Sequence, residues 1–304
     1  MYFKNAIEAI GHTPLVEMAQ MSPNKKVKIL GKLEGQNLGG SASIKDRIAK
    51  YMLQKAEQSG ELTKDKIIIE ATSGNTGIAL AWLGGKKGYR VTIVMPDNMS
   101  LERRQLLKIF GAELILTKGT YGVQGAIDKA RELVAQDHRY FMPDQFSNPA
   151  NPLAHYETTG AEIIDDFPYD RIDVLIAGIG TGGTIVGVSQ RLKEKYPNIR
   201  IIGVEPPPDD FIQGLKCIAK DKIPPILEPN LSLITEMVFV TSQQAAEATR
   251  QLLDKEGIFA GLSSGAVAHQ AIKVASEMDE GNIAVILADG GWKYLSLDLW
   301  TKAR

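Results

Sequence analysis

Short continuous apolar runs alternate with amphipathic stretches along most of the chain. The runs KVKILGKLE (26–34), KIIIEATSG (66–74), RVTIVMP (90–96), AELILT (112–117) and RYFMP (139–143) read as strands. Helical spacing between them predicts helices from Lys45 to about residue 60 and over 75–87, 100–111 and 123–136. Ser100 fits the third of these as N-cap and Gly111 as its terminator. After a Pro/Asn-rich connection at 145–152 the alternation resumes. HYETTGAEIIDDF is helical, IDVLIAGIG a strand, TIVGVSQRLKEKY a helix and IRIIGVEP a strand. Residues 206–229 are proline-rich and irregular; MVFVT, helices over 242–256 and 266–277, and the strand NIAVILAD complete the pattern. Strands apolar on both faces and separated by helices imply parallel sheets covered on both sides. The expected fold is α/β, with two doubly wound α/β domains: a smaller, mobile one over 40–150, and a larger one from 1–39 plus 151–304.

Composition narrows the function classes. With 304 residues and 44% hydrophobic content, the chain can bury two cores. A net charge of −1 gives no electrostatic case for nucleic acid or a membrane surface. The single cysteine, Cys217, precludes a disulfide framework, and His12, His138, His155 and His269 lack ligand spacing, so no metal site is expected. The start MYFKNAIEAIGHTP has no long apolar run, and no window approaches a membrane span. The expectation is a soluble cytoplasmic protein.

The chemistry centres on GGSASIKDR, residues 39–47. Ser43 fits as N-cap with Asp46 as its capping-box-like partner, which puts Lys45 in the first helical turn. A cation is disfavoured there, which suits a lysine held as a neutral amine or imine; an ordinary surface helix start is the bland alternative. Three strand-to-helix turns are candidate ligand sites. TSGNTG (72–77) offers hydroxyls, an amide and backbone N–H groups to a carboxylate or phosphate. GIGTGGT (178–184) matches G-x-G-x-x-G, and the next strand ends at Glu205, 22 residues beyond Gly183, so an NAD-dependent dehydrogenase is a rival. Thr181 and Thr184 beside the glycines favour a terminal phosphate instead. GLSSGA (261–266) offers a neutral hydroxyl or a plain helix cap. One lysine, a carboxylate turn and a phosphate turn are parts that pyridoxal phosphate uses when acting on an amino acid.

The sequence resembles the cysteine synthase family, pyridoxal phosphate enzymes of fold type II related to the tryptophan synthase β chain. The resemblance rests on GHTPLV, SIKDR, TSGNTG, MPDNMSLERR, DQFSNPANP, HYETTG, GTGGT and SSGA, in order along the chain. MPDNMS and EGIFAG are similar to B-type members, and DGGWKYLS to phosphoserine-using ones. The resemblance implies that Lys45 carries the internal aldimine, and that Asn75 bonds the pyridoxal 3′-oxygen. Gly180, Thr181, Gly182, Gly183 and Thr184 would cradle the cofactor phosphate, and Ser263 would face the pyridine nitrogen. Thr72, Ser73, Thr76 and Gln145 would bind the substrate carboxylate, drawing the two halves of the chain together, and Glu205 becomes structural. The implied reaction makes L-cysteine from O-acetylserine or O-phosphoserine and a sulfur donor through an α-aminoacrylate, in a homodimer. The smaller domain would bind substrate and the larger one the cofactor phosphate.

Two departures stand out. NLGGSASIKDR (37–47) is two residues longer than the family pattern, and Lys216 replaces an arginine of the irregular stretch. Lysine keeps the charge but not the bidentate fork, which weakens a substrate-phosphate role. Cystathionine β-synthase-like chemistry, a serine/threonine dehydratase and a non-catalytic ligand-binding relative remain open alternatives.

Overall fold

The computed structural model describes residues 1–72, 74–98 and 101–301. In chain order the elements are β1 (Leu15–Glu17), β2 (Val27–Leu33), α1 (Lys45–Ser59), β3 (Ile67–Ala71), α2 (Asn75–Lys86), β4 (Arg90–Pro96) and α3 (Leu101–Ile109). They continue with β5 (Glu113–Thr117), α4 (Gly122–Gln136), β6 (Tyr140–Phe141), α5 (Ala150–Ala154), a π-turn (His155–Thr159), α6 (Gly160–Asp166), β7 (Val174–Gly178) and α7 (Gly183–Lys195). Last come β8 (Arg200–Glu205), β9 (Glu236–Phe239), α8 (Ser242–Glu256), α9 (Leu262–Glu277) and β10 (Gly281–Leu287). The chain forms two compact units, Met1–Gly11 with Asn37–Ala150, and His12–Gln36 with Asn151–Arg304. Residues 1–11, grouped with the larger domain on sequence grounds, pack with the first unit, where Gly11 N–H donates to Asn37 Oδ1 at 2.8 Å.

The first unit holds a parallel sheet in the order β5-β4-β3-β6. Ile68, Ile93 and Met95 pack with α1 and α2 through Leu53, Ile78 and Leu80 on one face. On the other, Ile69, Ala71 and Val94 meet Ala126 and Ala130 of α4. Strands of this kind show continuous apolar sequence because both faces are covered. The chain builds β3, β4 and β5 outward in one direction and then places β6 on the other side of β3. The switch of direction therefore falls at β3, whose C-terminal end leads into TSGNTG.

The second unit has the order β1-β2-β10-β7-β8-β9, with only β1 antiparallel. β1 is only three residues long, too short to register as a periodic run, so it escapes sequence reading. Ile176, Ile202, Ile283 and Val285 pack against Ala245, Leu252, Ala271 and Val274 of α8 and α9. Here β7, β8 and β9 run one way and β10 returns to the other side of β7. The switch falls at β7, directly before GIGTGG. Open parallel sheets bind ligands at such points, beyond the carboxyl ends of the strands. Two of the three predicted turns thus occupy the places that the topology reserves for ligands.

Candidate active site

In the first unit, α1 opens at Lys45, which is half-buried. The expected cap is half right. Asp46 reaches back as a capping box requires, its Oδ2 accepting from Ser43 N–H and its Oδ1 from Ser41 N–H, both at 3.1 Å. Ser43 Oγ, however, accepts from Lys45 N–H at 3.1 Å, and Ile44 occupies the N-cap position without a side-chain cap. The loop before it is tightly built. A Cβ on Gly39 would lie 2.1 Å from Asp46 Cγ, and one on Gly40 2.3 Å from Trp82 Cβ. Ala42, in the same loop, has φ of 44°. Left-handed backbone at a non-glycine residue persists where the surroundings enforce it.

The TSGNTG turn lies at the N-terminus of α2. Gly74 N–H donates to Thr72 Oγ1 at 3.2 Å, and Asn75 is the first helical residue. A Cβ on Gly77 would come within 2.9 Å of Thr72 Cγ2, so this glycine lets the helix close on the strand. A Cβ on Gly74 would meet nothing within 4 Å, so the turn faces open space there. Thr76 Oγ1 donates to Gln145 Oε1 at 2.6 Å, with both side chains buried. Gln145 and the turn therefore belong to one unit, and the expectation that a carboxylate between them draws two units together is corrected. Ser73 lies outside the described residues, as do Met99 and Ser100, so the N-cap expected for α3 lies there too.

Behind this turn sits a residue that sequence reading passed over. Glu70 of β3 is fully buried, and its carboxyl accepts backbone N–H groups of Gln145, Ala71 and Asp144. Burial, reinforced by the Asp144 charge, pushes it up to about 8. No periodicity marks this residue, because a strand buried on both faces has no polar face to break.

In the second unit the GIGTGGT turn ends in α7, whose N-cap Gly182 has φ of 85° and no side-chain cap. Thr181 is buried and Thr184 half-exposed. Thr181 Oγ1 accepts from Gly183 N–H at 3.3 Å and from Asn151 Nδ2 at 3.0 Å. Thr184 Oγ1 lies 3.2 Å from His155 Nε2. HYETTG is a π-turn where a plain helix was expected. Ser263 lies inside α9, which begins at Leu262, earlier than the predicted 266, with Gly261 as N-cap. Gly214, at φ of 94°, would place a Cβ 3.5 Å from Ser263 Oγ, so bare backbone runs beside that hydroxyl. Lys216 is half-buried, and its N–H donates to Ile179 O at 2.7 Å, fastening the irregular stretch to the glycine turn. Glu205 is turned toward the same stretch. Its carboxylate accepts from the backbone N–H groups of Ile218 and Ala219, and burial raises its pKa. That occupies the group a dinucleotide ribose would need.

The set fits a phosphate monoester. Residues 180–184 present bare glycine backbone, two threonine hydroxyls and the uncapped start of a 13-residue helix. Among the described residues no group of three or more His, Cys, Asp or Glu could hold a metal, and no helix is long and apolar enough to cross a membrane.

Two α/β units, one with a lysine at a helix start and one with an uncapped glycine-rich turn, define the class as a pyridoxal phosphate enzyme of fold type II. A model of the pyridoxal-phosphate dependent enzyme family matches residues 7–289, and the chain belongs to that family. It is 43% identical over 305 residues to a cysteine synthase of Staphylococcus aureus (strain N315), covering 98% of this chain and 97% of that one. Among solved structures, O-ureido-L-serine synthase superposes with a TM-score of 0.93 at 37% identity, covering 100% of this chain and 97% of that one. Cysteine synthase from Entamoeba histolytica superposes with a TM-score of 0.91 at 37% identity, covering 100% and 92%. His12 has φ of 52°, a left-handed conformation in which histidine is enriched.

Proposed function

We propose that the protein makes L-cysteine by β-replacement, from an activated L-serine (O-acetylserine or O-phosphoserine) and a sulfur donor. The observation that carries this reading is the pairing, within one unit, of Lys45 at a helix start with the open turn at Gly74, where Thr76 and Gln145 are already hydrogen-bonded. An amine and a carboxylate receptor are the two fixtures an α-amino acid requires. The full-length similarity to cysteine synthases supports the choice of reaction.

Thr72, Ser73, Thr76 and Gln145 bind the substrate carboxylate and orient the Cα–H bond. Lys45 Nζ would hold the cofactor at rest, and its free amine would take the α-proton of the bound substrate. Asn75 would bond the ring 3′-oxygen, residues 180–184 the phosphate, and Ser263 the ring nitrogen. Bound pyridoxal phosphate supplies the electron sink that lets the β-substituent leave. A neutral hydroxyl at Ser263, in place of a carboxylate, leaves the ring nitrogen unforced toward protonation and suits elimination and replacement. Acetate or phosphate would depart from Cβ with the C–O bonding pair, the sulfur nucleophile would form the new C–S bond there, and Lys45 would return the proton to Cα. Lys216 would keep a positive charge for a phosphate-bearing substrate, without the bidentate fork of an arginine. The reading extends to a cytoplasmic homodimer, consistent with the exposed Trp292, Leu295 and Leu297 on one 3-10 turn.

Stopped-flow absorbance of the holoenzyme mixed with O-acetylserine, O-phosphoserine or serine tests the proposal. A rapid spectral change with either ester, reversed by sulfide with release of cysteine, is expected. Reaction with serine alone and release of ammonia would make it a dehydratase, and serine with homocysteine a cystathionine β-synthase-like enzyme. No change with any of them would point to a non-catalytic relative.

A further inference from the structure

Helix α7 carries two glycines four residues apart, Gly183 and Gly187, on one face. A Cβ on Gly183 would lie 1.9 Å from Asn151 Oδ1; one on Gly187 would lie 2.1 Å from Pro152 O and 2.9 Å from His155 Cβ. The segment from Asn151 to the π-turn is therefore seated directly on the backbone of α7, which is possible only because both residues are glycine. π-turns inside helices are rare and often accompany function.

This seating delivers two buried side chains to the two threonines of the phosphate turn. Asn151, 1% exposed, reaches Thr181 Oγ1, and His155, 0% exposed, reaches Thr184 Oγ1. A hydroxyl accepts two hydrogen bonds and donates one. Thr181 Oγ1 already accepts two, from Asn151 Nδ2 and Gly183 N–H. Only its proton remains to give. At Thr184, if His155 carries its proton on Nε2, that donor takes one lone pair and the hydroxyl proton is left to point elsewhere. Nδ1 then accepts from Thr159 Oγ1, 3.0 Å away and also buried.

Building on the reading that residues 180–184 hold the cofactor phosphate, we infer that Asn151 and His155 are positioning residues that turn the Thr181 and Thr184 hydroxyl protons outward, toward that phosphate. His155 stands in the Nε2–H tautomer, fixed from behind by Thr159. Neither residue touches the cofactor. Asn151, with the Gly183 N–H, leaves the Thr181 hydroxyl only a proton to give, and His155 bars Thr184 from donating back to the ring, so both can donate to a phosphate dianion, which can only accept.

Long-range 15N–1H spectra of histidine-labelled holoenzyme report the tautomer, and cofactor retained on dilution reports affinity. The Nε2–H tautomer is expected. Thr184→Val and His155→Leu should each release pyridoxal phosphate about tenfold more readily, with a changed 31P shift, whereas His155→Gln, which can still donate, restores most of the retention. Asn151→Asp should be worse than Asn151→Ala, since a carboxylate draws the Thr181 proton back. An Nδ1–H or doubly protonated ring overturns the inference, and so does His155→Leu retaining cofactor like the parent while Thr184→Val does not. If Thr181→Val and Thr184→Val both retain cofactor normally, the phosphate reading itself falls and the inference with it. The spectrum of the parent decides the tautomer even if the Leu variant fails to fold.

Discussion

Glu70 offers a test of the electrostatics at the end of β3, before the TSGNTG turn. Its carboxyl is buried at the end of β3, accepts backbone N–H groups of Gln145, Ala71 and Asp144, and is raised from 4.5 to about 8 by burial first and the Asp144 charge second. In the unfolded chain it ionises near its ordinary value. Between the two values the unfolded state has lost a proton that the native state keeps, so stability falls as pH rises, by about 1.4 kcal/mol per pH unit. The contribution is fully present below 4.5 and lost by about 8. Summed over that window the ceiling is about 5 kcal/mol, and about 2–4 kcal/mol is expected between pH 5 and 8 once relaxation around the carboxylate is allowed for. Glu70→Gln keeps an acceptor for the Gln145 N–H and removes the titration. Native-state hydrogen exchange of a peptide spanning β3, compared between parent and variant at each pH, cancels the intrinsic pH dependence of exchange. The variant should gain protection relative to the parent as pH rises. Parallel pH dependences in the two proteins would refute the buried-acid argument.

Lys45→Ala should fold and lose the bound cofactor's visible absorbance, and borohydride reduction of the parent should label Lys45 on peptide mapping; a label elsewhere would overturn its assignment. If Gln145 binds the substrate carboxylate as proposed, Gln145→Ala loses a hydrogen bond worth about 1.5–3 kcal/mol, and the first half-reaction should slow about 10–100-fold in stopped flow with cofactor absorbance intact. Gly187→Ala places a methyl 2.1 Å from Pro152 O and should lower both the melting temperature and cofactor retention, measured by scanning calorimetry and dialysis. The protein should show no NAD binding by titration calorimetry; binding that Glu205→Ala abolishes would restore the dehydrogenase reading.

The sequence alone determined the class of fold and the chemical parts. Continuous apolar strands such as Ile67–Ala71 and Val174–Gly178 announce parallel sheets, because burial on both faces leaves no alternation to read. Lys45, the TSGNTG turn and the GTGGT turn are legible because glycines and hydroxyls at a strand-to-helix turn are local signals. Tertiary structure decided which turns matter and what stands behind them. Only strand order, set by pairing between distant segments, places β3 and β7 at the switch points. Only packing joins Gln145 to Thr76 across 69 residues. His155 reads as one scattered histidine until Gly183 and Gly187 bring its segment against α7, and Glu70 reads as a polar interruption of a strand until burial makes it an acid. Local pattern records what each segment prefers by itself. These roles depend on contacts between segments far apart in the chain, and so become visible only when the sheets have formed.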